Sequence, residues 1–201
     1  YKIVVIRVPT FYMDFEAYRK RDPNFKSTTR DVHRILQELE KENVDGIVLD
    51  LRGNGGGSLQ EATTLTDLFI DRGPVVQIRQ TNELISRNYQ SHSRAAYRRP
   101  LVVLIDRLSA SASEIFAGAI QDYGRGIIVG TQSFGKGSVQ SLVPVDAGQL
   151  KLTESKFYRV SGESTQHRGV IPDMTLPSLV NVDDVGESTY DNALPWDKIH
   201  A

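Results

Sequence analysis

The sequence predicts an α/β domain of stacked ββα-like units with a β-rich C-terminal part, and three observations carry that prediction. Short apolar runs at residues 2–8, 46–51, 101–105 and 126–130 have the length and composition of buried strands. Helix-like segments alternate with them, two of which open on turns rich in Gly or Ser. From Gly148 onward the helical period disappears, and runs at 150–156 and 157–160, with Gly162 as a turn, read as strands.

At 201 residues and 39% hydrophobic content, the chain is long enough to bury a sizeable core as one domain over 1–201. A net charge of −1 and a sequence pI near 6.5 give no sign of a nucleic-acid or membrane surface. There is no cysteine, which removes disulfides, thiolate catalysis and cysteine zinc sites. No apolar run approaches the roughly 18 residues of a membrane span, and no stretch of these 201 residues reads as a signal peptide. The first residue is Tyr1 rather than Met, inside a strand-like run, as expected of a piece cut from a longer polypeptide.

After Pro9, residues 11–25 are aromatic and charged with no clean period, and read as a loop or short helix over the core. Ser27 or Thr28 caps the next helix, whose Val32, Ile35, Leu36 and Leu39 make one apolar stripe. His33 lies beside that stripe with no second ligand in spacing, so it reads as structural. The strand at 46–51 runs into a glycine-rich turn and a helix over 59–70. That order also describes a phosphate-binding loop, but the Gly-Lys-Ser/Thr ending and the Gly-x-Gly-x-x-Gly form are both missing. Gly56 and Gly57 are better read as backbone that approaches something closely, with Arg52 and Asn54 bracing the turn.

Gly73-Pro74 ends this helix and 75–79 is the next strand. Residues 83–99 carry Arg87, Arg94, Arg98 and Arg99 with Tyr89, Tyr97 and His92; the stretch is short and isolated, and reads as a solvated loop rather than a nucleic-acid surface. The tail is acidic from Asn181, and residues 178–201 are expected to pack back on the core through Trp196, the only tryptophan.

The chemistry concentrates at Ser109-Ala110-Ser111-Ala112-Ser113-Glu114. The strand at 101–105 stops at Asp106-Arg107, and three serines crowd the turn that opens an apolar helix. A helix N-terminus offers unpaired N–H groups and partial positive charge to a developing oxyanion, so a serine nucleophile suits this turn. Ser111 with Glu114 three residues on is also a capping box, which asks for no chemistry.

Downstream, Lys136 is bracketed by Gly135 and Gly137. If 136–143 is a strand, alternation puts Lys136, Ser138 and Gln140 on one face. A lysine desolvated there beside Phe134 can take a proton from a serine hydroxyl, and Gln140 can orient the amine. His167 is the one histidine able to compete as base, but no carboxylate pairs with it at readable spacing. No metal-ligand pattern occurs.

These blocks resemble the C-terminal processing, or tail-specific, peptidases, which are serine endopeptidases with a Ser-Lys dyad. The likeness runs through residues 109–125, Val129-Gly130-Thr131, Phe134-Gly135-Lys136-Gly137, 50–57, Phe157-Tyr158-Arg159-Val160, Gly169-Val170-Ile171-Pro172-Asp173 and 191–197. The last block resembles the bacterial tail-specific branch in particular. The resemblance implies a spiral fold shared with crotonases and the caseinolytic protease subunit.

It also implies roles: Ser111 as nucleophile, Lys136 as general base and Gln140 as the group that orients the lysine. The oxyanion hole would be the N–H of Ala112 with that of Gly56 or Gly57. Asp122 would be supportive, and Ser109 and Ser113 would be turn and helix residues. Further implications are protein substrates chosen by apolar C-termini, a PDZ domain upstream in the full chain, and an exported, periplasmic setting. No cofactor, coenzyme, metal or nucleic acid is implied. The 83–99 segment departs most from the family, whose members often carry acids there. Two alternatives keep the fold without this chemistry: a non-catalytic peptide-binding or regulatory domain, and acyl-CoA chemistry, for which no sequence feature calls.

Overall fold

The computed structural model describes residues 1–82, 84–91 and 94–200. Its elements in order are β1 (Ile3–Arg7), α1 (Phe15–Arg19), α2 (Thr28–Lys41), β2 (Gly46–Asp50), α3 (Leu59–Asp67), β3 (Gly73–Gln80) and β4 (Ile85–Ser91). There follow β5 (Leu101–Ile105), α4 (Ala112–Asp122), β6 (Ile127–Gly130), β7 (Ser138–Val145), β8 (Gly148–Tyr158), β9 (Met174–Thr175) and a single 3-10 turn, Glu187–Thr189. One sheet is parallel in the order β1-β2-β5-β6-β9, and the other is antiparallel in the order β4-β3-β8-β7.

Helix starts follow the side chains that cap them. Ser27 Oγ accepts the Arg30 N–H at the start of α2, and Ser58 Oγ accepts the Glu61 N–H at the start of α3. Val32 and Leu36 of α2 are buried, with Ile35 and Leu39 packed against the core beside them. Helix α4 touches both β6 of the parallel sheet and β3 of the antiparallel one, so it lies between the two layers. Every residue from Ala112 to Ile120 is accordingly buried, the pattern of a helix apolar on all sides.

The parallel sheet is covered on one face only. Ile6, Leu49, Val103 and Ile128, in one register row, are buried on the helix side. The neighbouring row of Val5, Val48, Val102 and Ile127, with Leu104, Val129 and Met174 beyond it, is half-buried or exposed. Ile3, Val5, Ile127 and Met174 are each more than half exposed. Parallel sheets are ordinarily covered on both faces, so this bare apolar face is unusual.

Three elements differ from the sequence reading. The stretch 83–99 is not wholly a loop, because β4 pairs antiparallel with the strand just before it, β3; the pairing has register shifts and leaves no clean alternation in the sequence. Glu83 and His92 of that stretch lie outside the described residues. The runs at 150–156 and 157–160 join in one strand, β8, which ends at Tyr158 and is held between β3 and β7. Finally, β7 begins at Ser138, and a bulge between Val139 and Gln140 interrupts its alternation. Lys136 therefore sits in the loop before the strand.

The C-terminal segment is fastened by buried charge. Arg107, 2% exposed, donates to the carbonyls of Ser133, Val182 and Val185, and a Cβ on Gly186 would lie 2.1 Å from its Nη2. Further on, Asp197 takes Lys156 Nζ and Arg79 Nη2 at 2.5 Å each and the Tyr158 hydroxyl at 3.1 Å. Trp196 donates Nε1–H to the Ser164 carbonyl, with the Arg168 guanidinium 3.7 Å from its ring centroid. Replacing Arg107 by Met would orphan three carbonyls. It is expected to cost on the order of 3 kcal/mol and about 10 °C in thermal unfolding, with residues 182–190 cut sooner in limited proteolysis. An unchanged melting curve and cleavage pattern would refute that role.

Candidate active site

Three serines enter the turn between β5 and α4, and their surroundings separate them. Ser109 Oγ donates to the Leu51 carbonyl at 2.8 Å, and Ser113 Oγ donates to the Asn54 carbonyl at 2.8 Å; both residues are fully buried. Ser111 alone of the three lines a cleft. Its backbone has φ +57° and ψ −111°, a strained conformation of the kind that thrusts a side chain out of a strand-to-helix turn.

The glycine-rich turn after β2 fits against this backbone. Asn54 locks the turn: its amide donates to Val8 O at 2.8 Å, its Oδ1 accepts the Gly56 N–H at 2.9 Å, and its carbonyl takes the Ala110 N–H at 3.0 Å. A Cβ on Gly56, at φ +105°, would come within 2.9 Å of Ser111 Cβ and 2.8 Å of Ala110 O, so only glycine allows the approach. The Gly56 N–H is thus engaged. Gly57 lines the cleft with Ala112, and among the described residues neither N–H has a protein acceptor. Arg52 forms a two-pronged pair with Asp50 at 2.8 and 2.9 Å, largely exposed and outside the cleft lining.

Lys136 enters the same cleft from the other side. Burial pushes its amine below the usual lysine range, and Lys151, on the cleft wall, pushes in the same direction, while Glu187 and Glu114 oppose both. Its Nζ donates to the Ser138 carbonyl at 2.8 Å; no hydrogen bond to Ser111 is formed. Gln140 lines the cleft too, but its amide reaches Thr153 Oγ1 at 3.4 Å rather than the lysine. The space between these groups measures about 330 Å³, and Leu59, Ile115, Val139 and Phe157 give it an apolar wall.

Glu114 ties the two halves together. Its fully buried carboxylate accepts the Ser111 N–H at 2.7 Å, and on the lysine side it accepts Ser133 Oγ at 2.6 Å and the N–H groups of Gly135 and Lys136 at 2.7 and 3.0 Å. Desolvation pushes this carboxyl up to about 7 against those four donors. The sequence suggested a helix cap for Glu114 and nothing more. An acid followed by the apolar run 115–120 was the available signal.

Ser111, Lys136, Gln140, Ala112 and Gly57 thus meet in one cleft, while Gly56 and Asn54 support its floor. Asp122 lies at the far end of α4, where it takes Arg159 Nη2 at 2.5 Å and the Ser161 N–H at 3.3 Å. That contact joins the helix to the segment after β8 and leaves the cleft untouched. His167 does not line the cleft; its backbone N–H donates to Gly135 O at 2.8 Å beneath the lysine loop. Among the described residues no group of His, Asp and Glu is arranged to hold a metal ion, and no helix is long and apolar enough to cross a membrane.

The chain is similar to known proteins over most of its length. A family model described as peptidase family S41 matches residues 2–176. The tail-specific protease of Haemophilus influenzae is 43% identical over 98% of this chain, and carboxy-terminal processing protease CtpB of Bacillus subtilis is 38% identical over 74%. The chain spans 28% and 31% of their lengths. Among solved structures, a photosystem II D1 C-terminal processing protease superposes with a TM-score of 0.74 at 33% identity, over 90% of this chain and 44% of that one. Mature CPAF, at 20% identity and a TM-score of 0.67, shares the fold. With a family model matching most of its length and relatives of this similarity, the chain belongs to peptidase family S41.

Proposed function

We propose that this chain is the core of a serine endopeptidase of the C-terminal processing type, working through a Ser111–Lys136 dyad. The observation that carries the reading is the sharing of one cleft by a strained, outward serine and a desolvated lysine, next to two N–H groups without protein acceptors. In the reaction, Ser111 Oγ attacks the peptide carbonyl and its proton passes to the neutral Lys136 amine. The Ala112 and Gly57 N–H groups hold the oxyanion. Collapse of the tetrahedral species expels the amine, which takes its proton from Lys136, and water then releases the acyl group from Ser111.

In the resting cleft the Ser138 carbonyl holds the lysine. The amine turns from it toward Ser111 on substrate binding, and Gln140 takes the orienting part once its amide leaves Thr153. Long catalytic hydrogen bonds are usual before substrate is bound. The apolar wall beside Ser111 fits an apolar side chain at the scissile bond. Selection of substrates by apolar C-termini, presentation by a PDZ domain elsewhere in the full protein, and a site of action outside the cytoplasm are part of the same proposal and rest on likeness to the family.

An unstructured protein ending in apolar residues, and a matched one ending in charged residues, test this by mass spectrometry of released peptides. Ser111→Ala is expected to reduce cleavage to background, and Lys136→Met to lower kcat by at least ~10²-fold. Cleavage that survives Lys136→Met would overturn the dyad, and equal cleavage of both proteins would overturn the C-terminal selection.

The base acts only when neutral. Activity should therefore rise with pH as Lys136 loses its proton, with a midpoint below the ordinary lysine value of about 10.4 because burial disfavours the ammonium. A rate that falls through that range, in protein still folded by circular dichroism, would contradict lysine as the base.

A further inference from the structure

Ser111 and Lys136 sit on separate segments, 25 residues apart in sequence, with no hydrogen bond between their side chains. Two turns that must bring reacting atoms together need something that fixes their spacing. On the nucleophile side, the Ser111 N–H points to Glu114 Oε2 at 2.7 Å. On the lysine side, that same oxygen takes the Lys136 N–H at 3.0 Å, and Oε1 takes the Gly135 N–H at 2.7 Å and the Ser133 hydroxyl at 2.6 Å. The Ser133 hydroxyl in turn accepts the Val170 N–H at 2.7 Å. One oxygen is thus shared by the backbone N–H groups of the two proposed catalytic residues. Glu114 has no exposure to solvent, so water cannot replace any of these donors.

We infer that Glu114 is a positioning residue: its buried carboxylate holds the Ser111 turn and the Lys136 loop in register, and so sets the separation of nucleophile and base. This rests on the Ser-Lys reading above. Neither a glutamine nor an aspartate can take the same part. Glutamine has one acceptor oxygen and turns an amide N–H₂ toward groups that are themselves donors. Aspartate keeps the charge but is a methylene too short to reach across from α4.

A small fluorophosphonate probe tests the inference without any protein substrate. Ser111 Oγ forms a bond to phosphorus, fluoride leaves, and the serine proton passes to Lys136. The labelling rate at Ser111 is measured against pH for wild type, Lys136→Met, Glu114→Gln, Ser133→Ala and the Glu114→Gln/Ser133→Ala double variant, with melting followed in parallel. The groups that face Lys136 are Glu187, Lys151 and Glu114, and Arg107 also senses Glu114.

We expect Glu114→Gln to slow labelling at least 30-fold and to move the rising limb of the profile to lower pH, because a carboxylate that favoured the ammonium is gone. Loss of folded protein alone would scale the profile without moving its midpoint. Ser133→Ala is expected to slow labelling severalfold, and the double variant should be no slower than Glu114→Gln, as for two groups acting through one contact. If Glu114→Gln fails to fold, Ser133→Ala carries the test through its own rate and midpoint.

Wild-type labelling that depends on Lys136, with Glu114→Gln labelled as fast as wild type, overturns the inference and leaves the dyad standing. The inference is likewise overturned by an unmoved midpoint in the folded variant, or by a normal rate in Ser133→Ala where Glu114→Gln does not fold. Absent wild-type labelling, or labelling indifferent to Lys136→Met, overturns the dyad itself.

Discussion

Burial of α4 between two sheets is the constraint from which the site follows. A helix enclosed on every side cannot leave its N-terminus to water, yet the first turn of any helix brings N–H groups that lack intrahelical acceptors. The chain meets this demand with carbonyls of the turn itself, the Ser113 N–H on Ala110 O and the Glu114 N–H on Ser111 O, and two further residues brace that turn. Asn54 O takes the Ala110 N–H and the Ser113 hydroxyl, and Glu114 turns back to the Ser111 N–H. The Ala112 N–H is left over and opens onto the cleft. An unpaired N–H inside an ordinary core is costly; here it faces the cleft beside Ser111, where the proposed oxyanion would accept it.

The cleft is assembled from both sheets. The ends of β2 and β5 supply the glycine turn and the serine turn, and the antiparallel sheet supplies Val139, Gln140, Lys151 and Phe157. Its lysine loop is held from below by Glu114, by Arg107, which binds the Ser133 carbonyl, and by the tail, where Glu187 donates its N–H to Phe134 O. The bare face of the parallel sheet lies on the opposite side of that sheet from the helices and the cleft. A surface with that many aliphatic side chains in register has the character of an interface, and it can be covered without obstructing the site.

Much of this was legible in the sequence because local signals and tertiary structure agree. Capping serines mark α2 and α3, apolar runs mark the strands of the parallel sheet, and the small residues at 109–113 mark a tight strand-to-helix turn. What stayed hidden depends on which groups pair once the chain is folded. Gly56 and Gly57 are equivalent in composition, and they differ because Asn54 engages one N–H and leaves the other. Lys136 was read onto a strand that begins two residues later, since a glycine-flanked lysine ahead of alternating residues carries no mark of where pairing starts. The strand character of β4 comes from β3, and the span of the Glu114 carboxylate comes from donors 19 to 22 residues downstream.

The backbone at Ser111 has a consequence of its own. Left-handed dihedrals at a residue with a Cβ cost of order 1–3 kcal/mol, and the fold must carry that cost whether or not substrate is present. Glycine would relieve it and remove the hydroxyl in the same change. If Ser111 is the nucleophile proposed above, stability and reactivity pull in opposite directions at a single position, and a search for more robust forms of this chain would be drawn to a residue where robustness and chemistry exclude each other.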